Sequence, residues 1–491
     1  MQYKYTQFQS FFMITNFKTL FISTVLVLCA TLRPVATSAQ TIAPGLESLL
    51  NRTLDSMKTV LNVKSLSVAM QMPDTYIWER AKGISGVGVN ATPNMVYEIG
   101  SVAKTMTAAC VLQLADEGVL RLDDSLFMWL DTMPQINPNI TIRQLLRHQS
   151  GIYDVLSHPN CQPAFVANQS RIWQPEELVA QFIGAPVFAA GAGWQYSNTN
   201  YMLLSMIIKR ATMRPFYTEI RNRFFTPLGM NTIATPALEP PLFQTIGAPV
   251  AHVWLDITGD GVTEDAHNFF INYLSLNSAA GAAGCYYATA AETTRWMRAY
   301  MRGDVISAAR LAEAKVTVAA PGLPATTYGL GLMKKNFVGF DGYGHGGDLA
   351  YSASSWYFPT QDVSITVLNN DAKNNSWTLA PVVAALLKTY NKWEALVGTT
   401  EKTDLSLTAT TFPNPFSGAL NVQISAPLPT KNVEIRLTDA LGRTVLSQNI
   451  AHLPQGSHTI TIDDAASLSA GVYFVAVVAD GRVLQSLKVV K

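Results

Sequence analysis

From Phe412 to Lys491 apolar residues recur at nearly every second position, as in "NVEIRLTDALGRTVLSQNI" and "GVYFVAVVADGRVLQSLKVVK", and upstream of about residue 397 they do not. Successive side chains of a strand point to opposite faces, so this pattern predicts strands buried on one side and turned at Leu441-Gly442 and Asp480-Gly481. Roughly 80 residues of this kind suit a small antiparallel β-sandwich. Before it, helical spacing in "PGLESLLNRTLDSMKTVLN" and "NYMLLSMIIKRA" mixes with strand-like runs in "SLSVAMQMPDTYIWERAKG" and "SSWYFPTQDVSITVLNN". That mixture predicts an α+β domain, an antiparallel sheet flanked by helices, with a separate helical lobe. At 491 residues and 48% hydrophobic content, the chain can bury more than one core. The expected division is a leader over 1–39, the α+β domain over 40–397, a linker over 398–410 and the sandwich over 411–491.

The leader is read from Lys4 and Lys18, the apolar run "LFISTVLVLCATL" and the small residues of "RPVATSAQ", with a cut expected after Ala39. Initiation at Met13 would give it a more ordinary length. Leu28 stands where a lipoprotein signal at Cys29 would need a small residue. No later stretch approaches the roughly 20 apolar residues of a spanning helix. The formal net charge of +1, without a Lys/Arg block, argues against nucleic acid as a partner.

The chemistry begins at "YEIGSVAKTMTAACVLQLADEG", residues 97 to 118. A helix starting at Ser101 places Ser101 and Lys104 on one face. A serine hydroxyl needs a base, and a lysine buried among Met106 and Ala108 loses charge and becomes one. Backbone N–H groups at the helix start lie where an oxyanion would form, and Gly100 permits the tight entry. S-x-x-K alone is a weak signature, for which a surface lysine on a capped helix is the simpler reading. Two further stretches bear on it. "GWQYSNTNY" sets Tyr196, Ser197 and Asn198 before a helix, where a phenol can exchange a proton and an amide can hold a carbonyl, or where both can serve packing and capping. "GHGGDLAYSASSWYF" sets His345 before Gly346 and Gly347 on what reads as an edge strand, open to an extended substrate.

Ser101-Val102-Ala103-Lys104, Tyr196-Ser197-Asn198 and His345-Gly346-Gly347 together resemble the S-x-x-K, Y-x-N and H-x-G motifs of penicillin-recognising serine hydrolases. "LQLADEGVLRLDDSL", "TIRQLLRHQSGIYD" and "YGLGL" are similar to its class C β-lactamase-related branch, over residues 45 to 395. The resemblance implies a β-lactamase/transpeptidase-like fold. It also implies Ser101 as acylated nucleophile, Lys104 and Tyr196 sharing base and acid duty, Asn198 positioning the substrate amide, and His345 as an electrostatic and proton-linking group. The oxyanion hole would be the backbone N–H groups of Ser101 and Asp348, and no cofactor or metal is called for. Expected substrates are D-amino-acid peptides related to peptidoglycan, as for D-alanyl-D-alanine carboxypeptidases, then esters, then β-lactams. A silent scaffold binding peptidoglycan or penicillin-like ligands is the alternative. A terminal carboxylate would need a basic group after "GLGL", where Met333, Lys334 and Lys335 follow. His148 is read as a structural loop anchor.

Three cysteines follow the leader. Cys110 reads as a small buried hydrophobe, and Cys161 to Cys285 is the pairing considered, against three free thiols. "DITGDGVTED" offers a weak calcium loop through Asp256, Asp260 and Glu264, with Thr258 and His267 at positions where acidic ligands belong; an Asp-Gly turn is the alternative. The tail, with "FPNPF", "LTDALGRTVL", "SAGVYFV" and "KVVK", resembles the sorting domain of Bacteroidetes type IX secretion substrates. That implies a secretion-machinery partner, export through the periplasm to the surface or medium, and removal of the tail; a permanent binding module is the alternative.

Overall fold

The computed structural model describes residues 42–73, 77–270, 273–398, 408–426, 429–439, 443–479 and 482–491. The expected leader, Cys29, most of the linker and both expected turns of the tail lie outside them. The chain divides into two compact units, one ending at Asn391 and the other starting at Lys392. No helix among the described residues is long and apolar enough to cross a membrane.

The first unit is built on nine strands: β1 (Ser65–Gln71), β2 (Ile77–Gly86), β3 (Val89–Asn90), β4 (Val318–Ala319), β5 (Thr326–Tyr328), β6 (Met333–Phe337), β7 (Phe340–Asp348), β8 (Ser352–Phe358) and β9 (Val363–Asn369). Their order is β3-β2-β1-β9-β8-β7-β6-β5-β4, so the N-terminal hairpin closes onto the last strand and every pairing is antiparallel. Every residue of β8 and β9 is buried; Trp356, Phe358, Val363, Ile365 and Val367 share one face, and Ala353, Tyr357 and Leu368 lie on the other with Ser355, Ser364 and Thr366. Helix α1 (Pro44–Leu61) leans on β2, and the side chain of Thr53 hydrogen-bonds that of Thr389, on a helix over Ala380–Gly398, 2.9 Å apart. A helix over Ala290–Arg302 packs on β1, β8 and β9.

Helix α2 (Ala103–Asp116) runs through the core, with twelve residues from Ala103 to Ala115 buried. A helix apolar all round belongs inside a domain, and this one holds Lys104 there. The expected helix start at Ser101 is instead a 3₁₀ turn over Gly100–Val102, entered through Gly100 at φ +50°. The helical lobe contributes α3 (Asn198–Thr212), whose first turn carries Asn198.

β7 is an interior strand and not the edge strand expected. Its pairing with β6 stops at Gly344, however, while its pairing with β8 continues to Asp348. Residues 345–348 therefore overhang, which leaves one side of this stretch available for an extended ligand.

The second unit stacks a three-stranded sheet (Thr408–Phe412, Leu420–Ala426, Gly456–Ile462) against a four-stranded one (Thr430–Asp439, Thr444–Leu453, Val472–Ala479, Arg482–Val490). Leu420, Val422 and Ile424 of the first pack in one core with Val433, Ile435, Val475 and Val477 of the second. The first strand starts three residues ahead of the boundary read from the pattern.

Cys110, Cys161 and Cys285 are free and buried, so the considered bridge does not form. Cys161 packs with Phe165 and Trp173 in a satellite cluster of the lobe, whereas Cys285 belongs to the main core. Burial in separate apolar clusters keeps the two thiols apart.

Candidate active site

Two glycines bring the Ser101 turn against the sheet. A Cβ on Gly347 would lie 2.0 Å from the Ile99 carbonyl oxygen and 3.0 Å from the Ser101 nitrogen, and one on Gly100 would lie 2.9 Å from the Asp348 nitrogen. Only bare backbone on both sides permits this approach. Its consequence is that the N–H groups of Ser101 and Asp348 come from two elements packed against each other. Ser101, Tyr196, Asn198, His345, Gly346 and Asp348 all line one cavity of about 280 Å³.

Lys104 is fully buried. Its Nζ lies 2.9 Å from Ser101 Oγ, 2.8 Å from Asn198 Oδ1 and 2.9 Å from the Ala283 carbonyl oxygen. The last two partners can only accept, so they claim two N–H bonds. The third position faces the one partner with a proton to give. Burial pulls the lysine down from its ordinary 10.5 to about 7, against a smaller opposing pull from Asp154. A neutral amine then donates twice and turns its lone pair to the serine hydroxyl.

Tyr196 is buried beside this pair, with Lys104 Nζ 4.8 Å from its ring centroid and Ser101 acting on its phenol against the larger effect of burial. Burial raises the phenol well above its usual value, so it rests protonated. His345 is also fully buried, and burial, followed by Lys104, lowers it to about 3. Its Nδ1 faces the Gly346 carbonyl oxygen, which only accepts, so the ring proton sits there; Nε2 then accepts from the Tyr328 hydroxyl at 3.0 Å. His345 is thus a neutral dipole at the cavity wall. The expected electrostatic role cannot be that of a cation.

The sequence reading missed Asp154, although "GIYD" contains it. Asn198 Nδ2 donates to Asp154 Oδ2 at 2.9 Å; a carboxylate only accepts, so this contact sets the amide and aims its oxygen at Lys104. Asp154 lies 44 residues from Asn198 in sequence, and the Ala283 carbonyl carries no side-chain signature at all. Tyr328, quoted above in "YGLGL", also had no role assigned.

Of the basic candidates, Lys334 pairs with Asp341 at 2.8 Å. Met333 lines the cavity, and Lys335, on the same face of β6, donates to the Pro324 carbonyl oxygen at 2.7 Å. Its Nζ is 5.1 Å from the ring centroid of Trp377, a cavity residue.

In the acidic loop, Asp256, Asp260 and Glu264 bring carboxylate oxygens within 4.8 Å of one another. The amides of Gly259 and Gly261 donate to Asp256 and that of Ile257 to Glu264, while His267 stacks on His252 with ring centroids 3.9 Å apart. These contacts describe a self-satisfied Asp-Gly turn.

The beta-lactamase family model matches residues 62–388. The chain belongs to the beta-lactamase family. It is a serine hydrolase of the β-lactamase and penicillin-binding-protein type. Penicillin-binding protein 4 of Amycolatopsis lactamdurans is 28% identical over 321 residues, 60% of this chain and 77% of that protein. Among solved structures, the D-stereospecific amidohydrolase of a Streptomyces species superposes with a TM-score of 0.57 at 28% identity, over 66% of this chain and 94% of that one. The D-amino acid amidase of Ochrobactrum anthropi SV3 shares the fold, with a TM-score of 0.61 at 22% identity, over 71% and 99%. The secretion system C-terminal sorting domain matches residues 410–491 and marks this serine hydrolase for secretion or surface export.

Proposed function

We propose that the chain cleaves D-amino-acid peptides through an acyl-enzyme, with carboxypeptidase action on a D-alanyl-D-alanine end as its leading activity. The observation that carries the acyl-transfer reading is the Lys104 amine, held by two obligate acceptors with its remaining position toward Ser101 Oγ. In this reading neutral Lys104 takes the hydroxyl proton as Oγ bonds to the substrate carbonyl carbon. The carbonyl oxygen becomes an oxyanion between the N–H groups of Ser101 and Asp348. Tyr196 passes its proton to the departing amine and regains one from Lys104, closing the proton count. Water then enters by the reverse relay, releases the acid and restores Ser101. Asn198 holds the substrate amide, and the overhang of β7 accepts the extended chain.

The carboxypeptidase reading rests on Lys335, which stands beside cavity residue Trp377 and donates to the Pro324 carbonyl oxygen. A substrate carboxylate at the rim would meet that ammonium. The D-stereospecific relative supports D-configured substrates. The test is a panel of an acylated D-Ala-D-Ala peptide, its C-terminal amide, a matched ester and a chromogenic cephalosporin. We expect Lys335→Ala to raise KM about 10-fold for the free acid, the worth of one rim charge of about 1 kcal/mol or a little more, and to leave the amide and ester alone. Equal losses on acid and amide would refute carboxylate recognition.

Export belongs to the same proposal: a leader over 1–39 cut after Ala39, passage through the periplasm, a hydrolase domain over 40–397, a linker over 398–410 and a sorting domain over 411–491 that is removed. The intact mass of protein recovered from the medium or cell surface should correspond to loss of both ends. A mature mass that retains residues 411–491 would favour a permanent module.

A further inference from the structure

His148 reaches the active site through three contacts that all converge on Tyr196. Its carbonyl oxygen accepts the Gln195 N–H at 3.1 Å, and its ring Nδ1 accepts the Ser197 N–H at 3.2 Å. Both neighbours of Tyr196 are thus held by one residue. The ring itself lies against the Tyr196 ring, centroids 4.3 Å apart and planes 32° apart. The backbone supports this grip, since His148 sits at φ +59°, a left-handed conformation that a residue with a Cβ adopts only when its surroundings impose it.

The polar network assigns the tautomer. Ile152 N–H donates to Ser150 Oγ, and Ser150 Oγ donates to Asn200 Oδ1 at 2.7 Å, which leaves Asn200 Nδ2 to face His148 Nδ1 at 3.2 Å. Nδ1 is therefore the acceptor and Nε2 carries the hydrogen. That Nε2 is buried without a hydrogen-bond partner among the described residues. A loop anchor would keep the Nδ1 contacts with any small acceptor; a buried, partly unsatisfied imidazole is a costly way to do so. What the ring adds is a flat surface for the phenol, closed by Tyr328 at 4.8 Å and Tyr201 at 5.4 Å.

We infer that His148 is a positioning residue that sets the Tyr196 phenol for proton transfer, beyond its part in anchoring the loop. The inference rests on the reading of Tyr196 as the proton donor to the leaving group. A misplacement of about 1 Å at such a group costs about 100-fold in rate.

A double-mutant cycle in the full chain tests it. His148→Asn keeps a short acceptor and tolerates the left-handed backbone, but removes the stacking surface. We expect H148N to lower kcat/KM about 10- to 100-fold through kcat, with KM nearly unchanged, and Tyr196→Phe to lower it about 100-fold or more. In the Y196F background H148N should cost less than about threefold, because a residue that acts through the phenol has nothing left to position. The same factor in both backgrounds, or a loss confined to KM, overturns the proposal while the Tyr196 reading stands. Undiminished turnover by Y196F removes that reading and the proposal together, while Ser101 labelling by a fluorophosphonate still reports an intact nucleophile. His148→Gln serves if H148N does not fold. If neither folds, with melting temperature as the readout, the role is purely structural and the proposal is overturned.

Discussion

Ser101→Ala is expected to lower kcat/KM by about 10⁴-fold or more on every substrate the chain turns over, and to abolish covalent labelling by a fluorophosphonate or fluorescent penicillin. Removing a nucleophile leaves only binding and oxyanion stabilisation, which carry a small remainder of the acceleration. Ser101 lies in a short turn whose position is set by Gly100, Gly347 and the core helix behind it, so loss of one oxygen should leave the melting temperature within a few degrees of wild type. Peptide mapping by mass spectrometry reads the label directly. A label that persists in S101A, or that maps to another residue, would refute the nucleophile assignment.

Lys104→Met should cost about 10³- to 10⁴-fold in acylation, the range for a general base that also activates a nucleophile. Wild-type acylation should rise through pH about 7, where the buried amine loses its proton. His345, at about 3, stays neutral across the assay range and adds no limb of its own. Stability carries a second signature. The folded-state pKa of Lys104 is depressed below its unfolded value, so between about 7 and 10.5 the unfolded chain holds one proton more than the folded chain. Folding stability then rises with pH in that window, by up to about 1.4 kcal/mol per pH unit from this group, and the full penalty is present below it. Denaturant titrations at several pH values should show that slope in wild type and not in K104M. An identical slope in both proteins would mean that the lysine is protonated in the folded state, and the base assignment would fall.

Much of the architecture was legible because hydrophobic period reports backbone geometry. The alternation after Phe412 marked a sandwich, and the apolar spacing of 44–61 and 103–116 marked helices whose faces are buried. The motif residues were legible for a related reason: a serine and a base one helical turn apart must stand three positions apart in sequence. Less was legible where a contact joins distant segments. Strand β7 read as an edge because glycines resemble one, whereas its neighbours depend on strands that precede and follow it. The cysteine pairing could not be chosen, because two thiols share a chain but not a core cluster. The charge of His345 could not be assigned either, since neutrality there comes from burial, the Gly346 carbonyl and Tyr328.

By itself, the sequence determined the family, the two-part organisation and the motif residues proposed for acyl transfer, since local spacing and period are properties of the chain alone. The tertiary structure decided which state those residues occupy. Asp154, Asn198 and the Ala283 carbonyl come from segments far apart, and only their convergence around the buried Lys104 amine strips it of water and directs its lone pair. Desolvation and hydrogen-bond direction are properties of a packed environment, and that environment exists only once the chain has folded.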